Sequence, residues 1–323
     1  MSIKIGFIGV GGIALAHIKG LQQIDGAEIV CVYDVNREQA AKVAESTGAA
    51  VMDSADQVLD PARIDAVYLC TPQFARGDLD ETAARRGIHL FVEKPLGLDA
   101  EEVKRKAIAI GDSGVIHSVG YCLRYLDTVQ EAKAYLADRQ AHLIQAFRFG
   151  GSHPAKWWHR LDMSGGHLVD AVTHQVDMIR FMAGEFREVH ANFGRLSFDR
   201  VNPEGTIYDA GAISFTMEQG TIGSITESCL SAYHSASDIK FFGQDFFVHL
   251  SGNGATLTIV DDKQNVTKVS KMDAYYEQSK AFIEAVKTGS RTPILSNYQD
   301  GLKTLAFTLA ANRSSEESKP VFV

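Results

Sequence analysis

Gly9-Val10-Gly11-Gly12-Ile13-Ala14 directly follows the apolar run Ile5-Gly6-Phe7-Ile8 near the start of the chain. This stretch is typical of a tight turn that joins a buried strand to a helix and binds the phosphates of a dinucleotide. Gly9 can adopt the turn, and Gly11 lets the backbone approach a phosphate that any Cβ would repel. Ala14 supplies a small side chain where the helix meets the strand. Because glycine-rich turns are common, the surrounding sequence decides what this one means.

A second strand supports the dinucleotide interpretation. Apolar residues recur at helical spacing within residues 13–24, which predicts a helix. The next apolar run, Ile29 to Tyr33, is followed by Asp34, twenty residues after Ala14. That position suits a carboxylate that binds an adenosine ribose hydroxyl and repels a 2′-phosphate, so Asp34 favours NAD over NADP. Arg37 argues the other way, because a guanidinium can bind a 2′-phosphate. Without the glycine turn, Asp34 would read as an ordinary residue at the end of a strand.

Composition bounds the class of protein. The 323 residues carry a formal net charge of −8 at pH 7, with 45% hydrophobic and 22% charged residues, which is ordinary for a globular chain of two domains. The negative charge and the lack of a long basic run argue against binding of nucleic acid. No run approaches the roughly 18 apolar residues of a membrane span, and the chain enters a strand at once instead of a signal peptide. We therefore expect a cytoplasmic protein with no membrane or nucleic-acid partner.

The cysteines and scattered histidines suggest no metal site and no disulfide framework. Four cysteines lie far apart: Cys31, Cys70, Cys122 and Cys229. The first two lie in apolar runs, where a buried reduced thiol is the usual state. Three further histidines lack metal-ligand spacing: His117, His190 and His249. On the first predicted helix, His17 is expected to pack rather than to react.

Short apolar strands alternate with helices up to about Cys122, which predicts a parallel sheet with right-handed crossovers. We therefore expect a Rossmann domain with a doubly wound parallel sheet at residues 1–122. Beyond it, residues 189–260 show strands of period two separated by turns, which predicts a mainly antiparallel open sheet. This sheet and its flanking helices would form an α+β domain at residues 123–323 for substrate binding and oligomerisation. The fold class is thus α/β followed by α+β.

Glu93-Lys94-Pro95 directly follows the predicted strand that ends at Val92. Ligands of open parallel sheets bind beyond the carboxyl ends of the strands, where Lys94 is expected to emerge. A lysine there can hydrogen-bond a substrate hydroxyl and stabilise the alkoxide that develops when hydride leaves. The alternative is a solvated lysine beside a proline turn.

A second candidate lies on the helix that follows Gly165-Gly166. Asp170, His174 and Asp177 have i, i+4, i+7 spacing and should share one face, opposite an apolar stripe. Histidine has an ordinary pKa of about 6.5, so His174 could exchange a proton at neutral pH. An ordinary exposed Asp/His pair, worth about 0.2 to 0.5 kcal/mol, explains the same spacing equally well.

Taken together, these segments resemble the glucose–fructose oxidoreductase and inositol dehydrogenase family. The matching segments are the glycine turn, Asp34, Thr71-Pro72, Glu93-Lys94-Pro95, Gly120 to Tyr125, Gly165-Gly166 with Asp170, His174 and Asp177, and Tyr298 to Leu302. The resemblance implies that Lys94 positions the reacting oxygen, that His174 exchanges its proton, and that Asp170 binds a hydroxyl or tunes His174. It also implies a cis peptide before Pro95.

The resemblance extends the expected cofactor site to a larger set of residues. These are Gly9, Gly11, Gly12, Ile13, Asp34, Arg37, Thr71, Pro72, Gln73, Glu93 and Lys94. One departure concerns the segment after Thr71-Pro72, where the family usually has Asn and, three positions later, His. This chain has Gln73 and Arg76 there, so the contact made by Gln73 is in question.

Substrate contacts are expected from Asp170 and His174 and from a loop that holds both tryptophans of the chain. Aromatic faces beside hydrogen-bond donors suit a sugar ring, although one tryptophan is expected to anchor the loop in the core. The remaining candidates are Tyr121, Arg124, Trp157, Trp158, His159 and Arg160.

The expected function is hydride transfer between NAD and a hydroxyl or carbonyl of a sugar, sugar derivative or cyclic polyol. One alternative is a non-catalytic regulatory protein that senses NAD or a sugar on the same fold, because fold does not dictate function. Another is a biliverdin-reductase-like reductase, which has no need of Asp170 and His174. Since the open sheet needs a cover, we expect a homodimer or homotetramer that packs through the C-terminal domain.

Overall fold

The computed structural model describes residues 2–231 and 233–323, which divide into two compact units. The first unit comprises the residues up to Cys122 together with Asp273–Leu302, and the second comprises Leu123–Met272 and Lys303–Val323. The expected boundary scheme assigned all of 123–323 to the second domain, so the return of Asp273–Leu302 to the first unit is a correction.

The first unit is built on a parallel sheet, as predicted. In the part of the chain that the structure describes, six strands lie in the order β3-β2-β1-β4-β5-β6, and every pairing is parallel. The strands are β1 (Ile3–Ile8), β2 (Ala27–Tyr33), β3 (Ala50–Val51), β4 (Ala66–Leu69), β5 (His89–Val92) and β6 (His117–Val119). The helices are α1 (Gly12–Leu21), α2 (Arg37–Thr47), α3 (Ala55–Val58), α4 (Leu79–Arg85) and α5 (Ala100–Asp112).

Aromatic stacking fills the core of this sheet. The Tyr68 ring lies between Phe7 and Phe91, with ring centroids 4.9 and 4.5 Å away. All four residues of β4 are buried, as expected of a strand covered on both faces. Because the strands are parallel, the carboxyl ends of β1, β2, β4 and β5 lie at one edge of the sheet. The predicted cofactor residues lie at this edge.

The return segment joins this core through α9 (Ala274–Thr288), whose Phe282 and Ile283 belong to the same apolar cluster as Phe7. Gly20 of α1 permits the approach, since a Cβ there would lie 3.3 Å from the Cα of Tyr276. An amphipathic helix can pack on any complementary apolar face, so the sequence of α9 does not identify its docking surface.

The second unit contains the mainly antiparallel sheet that was predicted. Among the described residues, nine strands lie in the order β14-β13-β12-β11-β7-β10-β9-β8-β15, and only β7 and β10 pair in parallel. The strands are β7 (Leu143–Phe149), β8 (Phe186–Gly194), β9 (Ala210–Met217), β10 (Ile222–Ser228), β11 (Ala236–Phe242), β12 (Phe246–Ser251), β13 (Thr256–Asp261), β14 (Asn265–Val269) and β15 (Val321–Phe322). The helices are α6 (Asp127–Leu136), α7 (Leu161–Ser164), α8 (Thr173–Ala183) and α10 (Tyr298–Glu317), the last of which begins in the first unit.

Period-two burial along these strands separates two faces. In β11 and β12 every second residue is buried, and α6 and α8 contact the sheet. The opposite face of β11, β12 and the adjoining β7 carries four half-buried aromatic side chains: Phe147, Phe149, Phe242 and Phe247. No helix within residues 2–231 and 233–323 is long and apolar enough to cross a membrane.

Candidate active site

The glycine turn has the geometry that a dinucleotide requires. Gly9 has φ of +82°, and a Cβ there would lie 2.9 Å from the backbone of Cys70 and Thr71, so only glycine fits. Gly11 caps the N-terminus of α1, and a Cβ at Gly11 or Gly12 would meet no described atom within 4 Å. The turn therefore leaves open space in front of the α1 N-terminus, where backbone N–H groups and the helix dipole favour an anion.

Asp34 is held at the end of β2 by the same turn. Its Oδ2 accepts a hydrogen bond from the Val10 amide at 2.8 Å, and its Oδ1 accepts one from the Asn36 amide at 2.8 Å. A carboxylate oxygen has two lone pairs, so each can still accept a ribose hydroxyl. Arg37 instead points toward the Met52 carbonyl, to which it donates at 2.6 Å, and toward the carboxylate of Asp53. These contacts occupy the Arg37 guanidinium, which would otherwise be available to bind a 2′-phosphate.

Glu93, a predicted cofactor residue, has its carboxylate engaged within the protein. Its carboxylate is buried, lies 2.8 Å from Nε2 of His17, and accepts the Lys94 amide at 3.1 Å. A Cβ at Gly120 would lie 2.6 Å from Glu93 Oε2, so glycine is required for this approach. Glu93 therefore supports the backbone of Lys94 from inside, and its contact with the cofactor stays a prediction.

His17 is packed, as expected, because it is fully buried and hydrogen-bonds through both ring nitrogens, to Glu93 and to Ser279 at 3.1 Å.

Lys94 is half-buried and follows β5 directly, and the peptide bond between it and Pro95 is cis. Burial beside Glu93 raises the pKa of the neighbouring Cys122 thiol to about 12, which keeps that thiol protonated and unreactive.

In the second unit, Trp158 connects the tryptophan loop to Asp170. The Trp158 ring is 2% exposed and packs with Phe198, Ile207 and Cys229. Its Nε1 donates to Asp170 Oδ2 at 2.8 Å. Trp158 therefore anchors the loop in the core, as expected of one tryptophan, and also holds the candidate carboxylate.

The helix that carries the candidate residues begins with one π-helical turn, Leu168–Val172, before α8. Gly165 and Gly166 precede it with φ of +76° and +89°. Such π turns occur often at functional sites, and their wider winding changes the angular spacing of side chains. Asp170 and His174 are half-buried there, whereas Asp177 is almost fully buried, so the three do not form the single exposed face that a 3.6-residue period predicts.

Asp177 and Arg124 instead form an internal ion pair. Arg124 donates from Nε and Nη2 to the two carboxylate oxygens at 2.8 and 2.6 Å, and Thr304 donates to Oδ1 at 3.0 Å. Both charged groups are buried. The Arg124 guanidinium is thus engaged inside the second unit, and its contact with substrate stays a prediction.

Other predicted substrate residues also have structural partners. His159 is buried, with Nε2 2.8 Å from the His153 carbonyl and Nδ1 3.0 Å from the Asn202 side chain, so its ring is engaged within the loop. Tyr121 is buried. Arg160 is exposed and donates to both oxygens of Asp162 at 3.0 and 2.8 Å. Of this group, half-buried Trp157 and exposed Arg160 keep surface that a ligand could reach.

Sequence reasoning missed two buried residues beside these candidates. His167 pairs with the carboxylate of Glu227, and its ring packs edge-on against Trp158 at 5.9 Å. Arg76 donates to backbone carbonyls around Lys94. The only sequence signal was the departure at Arg76 from the family pattern, since no local pattern reveals partners that lie far apart in the chain.

These features define a nicotinamide-dependent oxidoreductase. A family model described as "Oxidoreductase family, NAD-binding Rossmann fold" matches residues 3–121, and one described as "GFO/IDH/MocA C-terminal domain" matches residues 139–249. The chain belongs to this GFO/IDH/MocA oxidoreductase family. The family confirms the predicted resemblance, the fold class and NAD as cofactor.

Similar proteins span the whole chain. Myo-inositol 2-dehydrogenase of Thermotoga maritima is 27% identical over 99% of this chain and 98% of its own. The scyllo-inositol 2-dehydrogenase (NAD(+)) of Bacillus subtilis is 28% identical over 99% and 96%. A solved structure of a putative myo-inositol dehydrogenase from Sinorhizobium meliloti 1021 superposes with a TM-score of 0.84 at 26% identity and covers 100% of both chains.

Proposed function

We propose that this protein is an NAD-dependent dehydrogenase that oxidises a hydroxyl of a cyclic polyol, a sugar or a sugar derivative, or reduces the matching carbonyl. The observation that carries the proposal is the position of Lys94, at the same sheet edge as the glycine turn and Asp34. The similarity of the chain to inositol dehydrogenases supports the choice of substrate class.

Within this proposal Lys94 donates a charge-assisted hydrogen bond to the reacting oxygen and stabilises negative charge on it. His174 accepts the hydroxyl proton during oxidation and returns it during reduction. Asp170, held by Trp158, accepts a hydrogen bond from a substrate hydroxyl or from His174. The bound nicotinamide ring supplies hydride acceptance and donation at the substrate carbon.

Gly9, Gly11, Gly12 and Ile13 are proposed to hold the pyrophosphate, and Asp34 the adenosine ribose. Further cofactor contacts are proposed for the segment after β4, which holds Thr71, Pro72 and Gln73. Trp157 and Arg160 remain proposed substrate contacts, because both keep surface outside the core.

A substrate screen tests the activity. Inositols, aldoses, anhydrosugars and nucleotide sugars are each incubated with NAD and with NADP, and the absorbance of reduced cofactor is followed. We expect turnover of at least one cyclic polyol or sugar, with NAD preferred. Binding of NAD without turnover of any member would instead favour the non-catalytic regulatory alternative.

A lysine pair then tests the site. Lys94→Ala should abolish turnover and leave the Kd for NAD nearly unchanged. The matched control is Lys42→Ala, because Lys42 is exposed and pairs only on the surface with Glu38; it should alter neither quantity. Retained turnover in Lys94→Ala would refute the assigned role.

We also propose a homodimer or homotetramer that packs through the half-buried aromatic face of the second sheet. Aromatic side chains are enriched in protein interfaces. Analytical ultracentrifugation should give a dimer or larger at micromolar concentration, and a monomer would contradict the proposal. A cytoplasmic location is proposed as well, supported by four cysteines that are all buried thiols.

A further inference from the structure

Arg76 is a charged side chain buried beneath the loop that carries Lys94. It lies just after the short 3₁₀ turn Gln73–Ala75, which follows β4, and only 2% of its surface is exposed. Burying a guanidinium is costly unless it is well hydrogen-bonded. The Arg76 guanidinium must therefore have several hydrogen-bond acceptors around it.

The guanidinium joins two loops at the carboxyl edge of the parallel sheet. Nη1 donates to the carbonyls of Pro95 and Leu96 at 3.0 and 3.2 Å, and Nη2 donates to those of Glu93 and Thr71 at 2.9 and 3.1 Å. The Glu93 and Pro95 carbonyls flank Lys94 on either side. The Thr71 carbonyl belongs to the loop after the neighbouring strand β4.

These contacts fix the backbone from which the Lys94 side chain projects. The Glu93–Lys94 and Pro95–Leu96 peptide groups are tied to one rigid planar group, and that group is tied to the adjacent loop. The Glu93 carboxylate adds a further constraint by accepting the Lys94 amide. A lysine at position 76 could not reproduce this pattern, because an ammonium lacks the planar fork of donors that reaches four separate carbonyls.

We propose that Arg76 is a positioning residue that sets the direction of the Lys94 side chain. Arg76 touches neither substrate nor cofactor in this role, and acts only through the backbone of residues 93–96. The inference rests on the proposed function of Lys94. It predicts that loss of the planar fork lowers kcat far more than it weakens NAD binding.

The test compares Arg76→Lys with Arg86→Lys. Arg86 is a matched control, because it also donates to backbone carbonyls of the first unit, those of Leu59 and Asp56 at 2.7 and 3.3 Å, but none near Lys94. We expect Arg76→Lys to lower kcat by about 10- to 100-fold, the usual loss when a group that orients a catalytic residue is removed. The Kd for NAD should change by less than about threefold, and Arg86→Lys should keep the wild-type kcat even where its Tm falls.

Chemical rescue separates positioning from general destabilisation. Methylguanidinium at low millimolar concentration should raise the kcat of Arg76→Ala, since it can refill the fork, and should have no effect on Arg86→Ala. An unchanged kcat in Arg76→Lys, or a loss in Arg76→Ala that methylguanidinium does not restore, would overturn the inference. Lys94→Ala, assayed in parallel, separates the two claims: if it turns over normally, the proposed function fails, whereas if it is inactive while Arg76→Lys is normal, only the role of Arg76 fails.

Discussion

Asp177→Asn distinguishes a structural carboxylate from a catalytic one. Asp177 has the i+7 spacing from Asp170 that suggested a shared catalytic face, yet its side chain is only 2% exposed. Both of its oxygens accept hydrogen bonds from Arg124, and one also accepts the Thr304 hydroxyl. The amide keeps the volume of the carboxylate but removes its charge, so the buried Arg124 guanidinium loses the charge with which it pairs.

Removing one partner of a buried ion pair costs about 3 to 5 kcal/mol. The Asn oxygen can still accept one hydrogen bond from Arg124, so we expect the lower end, about 3 kcal/mol. For a chain of 323 residues that loss corresponds to a decrease in Tm of about 4 °C. Urea unfolding measures the free energy, and kcat is determined well below the new Tm, where it should stay within about threefold of wild type.

Asp170→Asn is the matched comparison, because Asp170 is half-buried and accepts a hydrogen bond from the Trp158 indole. Here kcat should fall by at least about tenfold, while unfolding changes by no more than about 1 kcal/mol. If Asp177→Asn keeps wild-type stability and loses turnover instead, the ion-pair assignment is wrong and Asp177 belongs to the catalytic face.

Three further outcomes follow from the first unit. Gly9→Ala should weaken NAD binding and destabilise the fold by about 1 to 3 kcal/mol, since its φ of +82° and a backbone contact at 2.9 Å disfavour any Cβ; calorimetry and urea unfolding would show both, and unchanged values would contradict the turn geometry. Asp34→Ser should raise the KM for NAD and narrow its preference over NADP, as measured by the ratio of kcat/KM values, and an unchanged ratio would remove Asp34 from cofactor selection. Burial and the charge of Arg291 lower the pKa of His117 from 6.5 to about 4. As pH falls below 6.5 the unfolded chain therefore binds a proton at His117 before the folded chain does. The free energy of unfolding should decrease by about 2 kcal/mol at pH 5. Urea unfolding from pH 7 to 5 should show this slope, and the same slope in His117→Asn would exclude His117 as its source.

Local sequence was sufficient wherever the determining interactions are short in range. The glycine turn, Asp34 and the alternating strands predicted the parallel sheet and its cofactor edge, because the pattern of a strand, a tight turn and a helix is set within about 30 residues. The alternation of apolar and polar residues likewise predicted the antiparallel sheet of the second unit. Short or polar strands were not predicted. Examples are β15, which has two residues, and β14, whose side chains are mostly exposed.

Partner choice depended on residues that are distant in the chain. The sequence placed Asp177 and Arg124 among candidate site residues, but only the folded chain brings them together as a buried pair across 53 positions. The π turn at Leu168–Val172 similarly altered a face that spacing alone predicted. The same is true of Arg76, whose backbone partners are as far away as position 96. A periodic pattern records which side of an element is apolar, whereas the partner of a buried charge is decided by packing, since burial makes an unpaired charge too costly to leave.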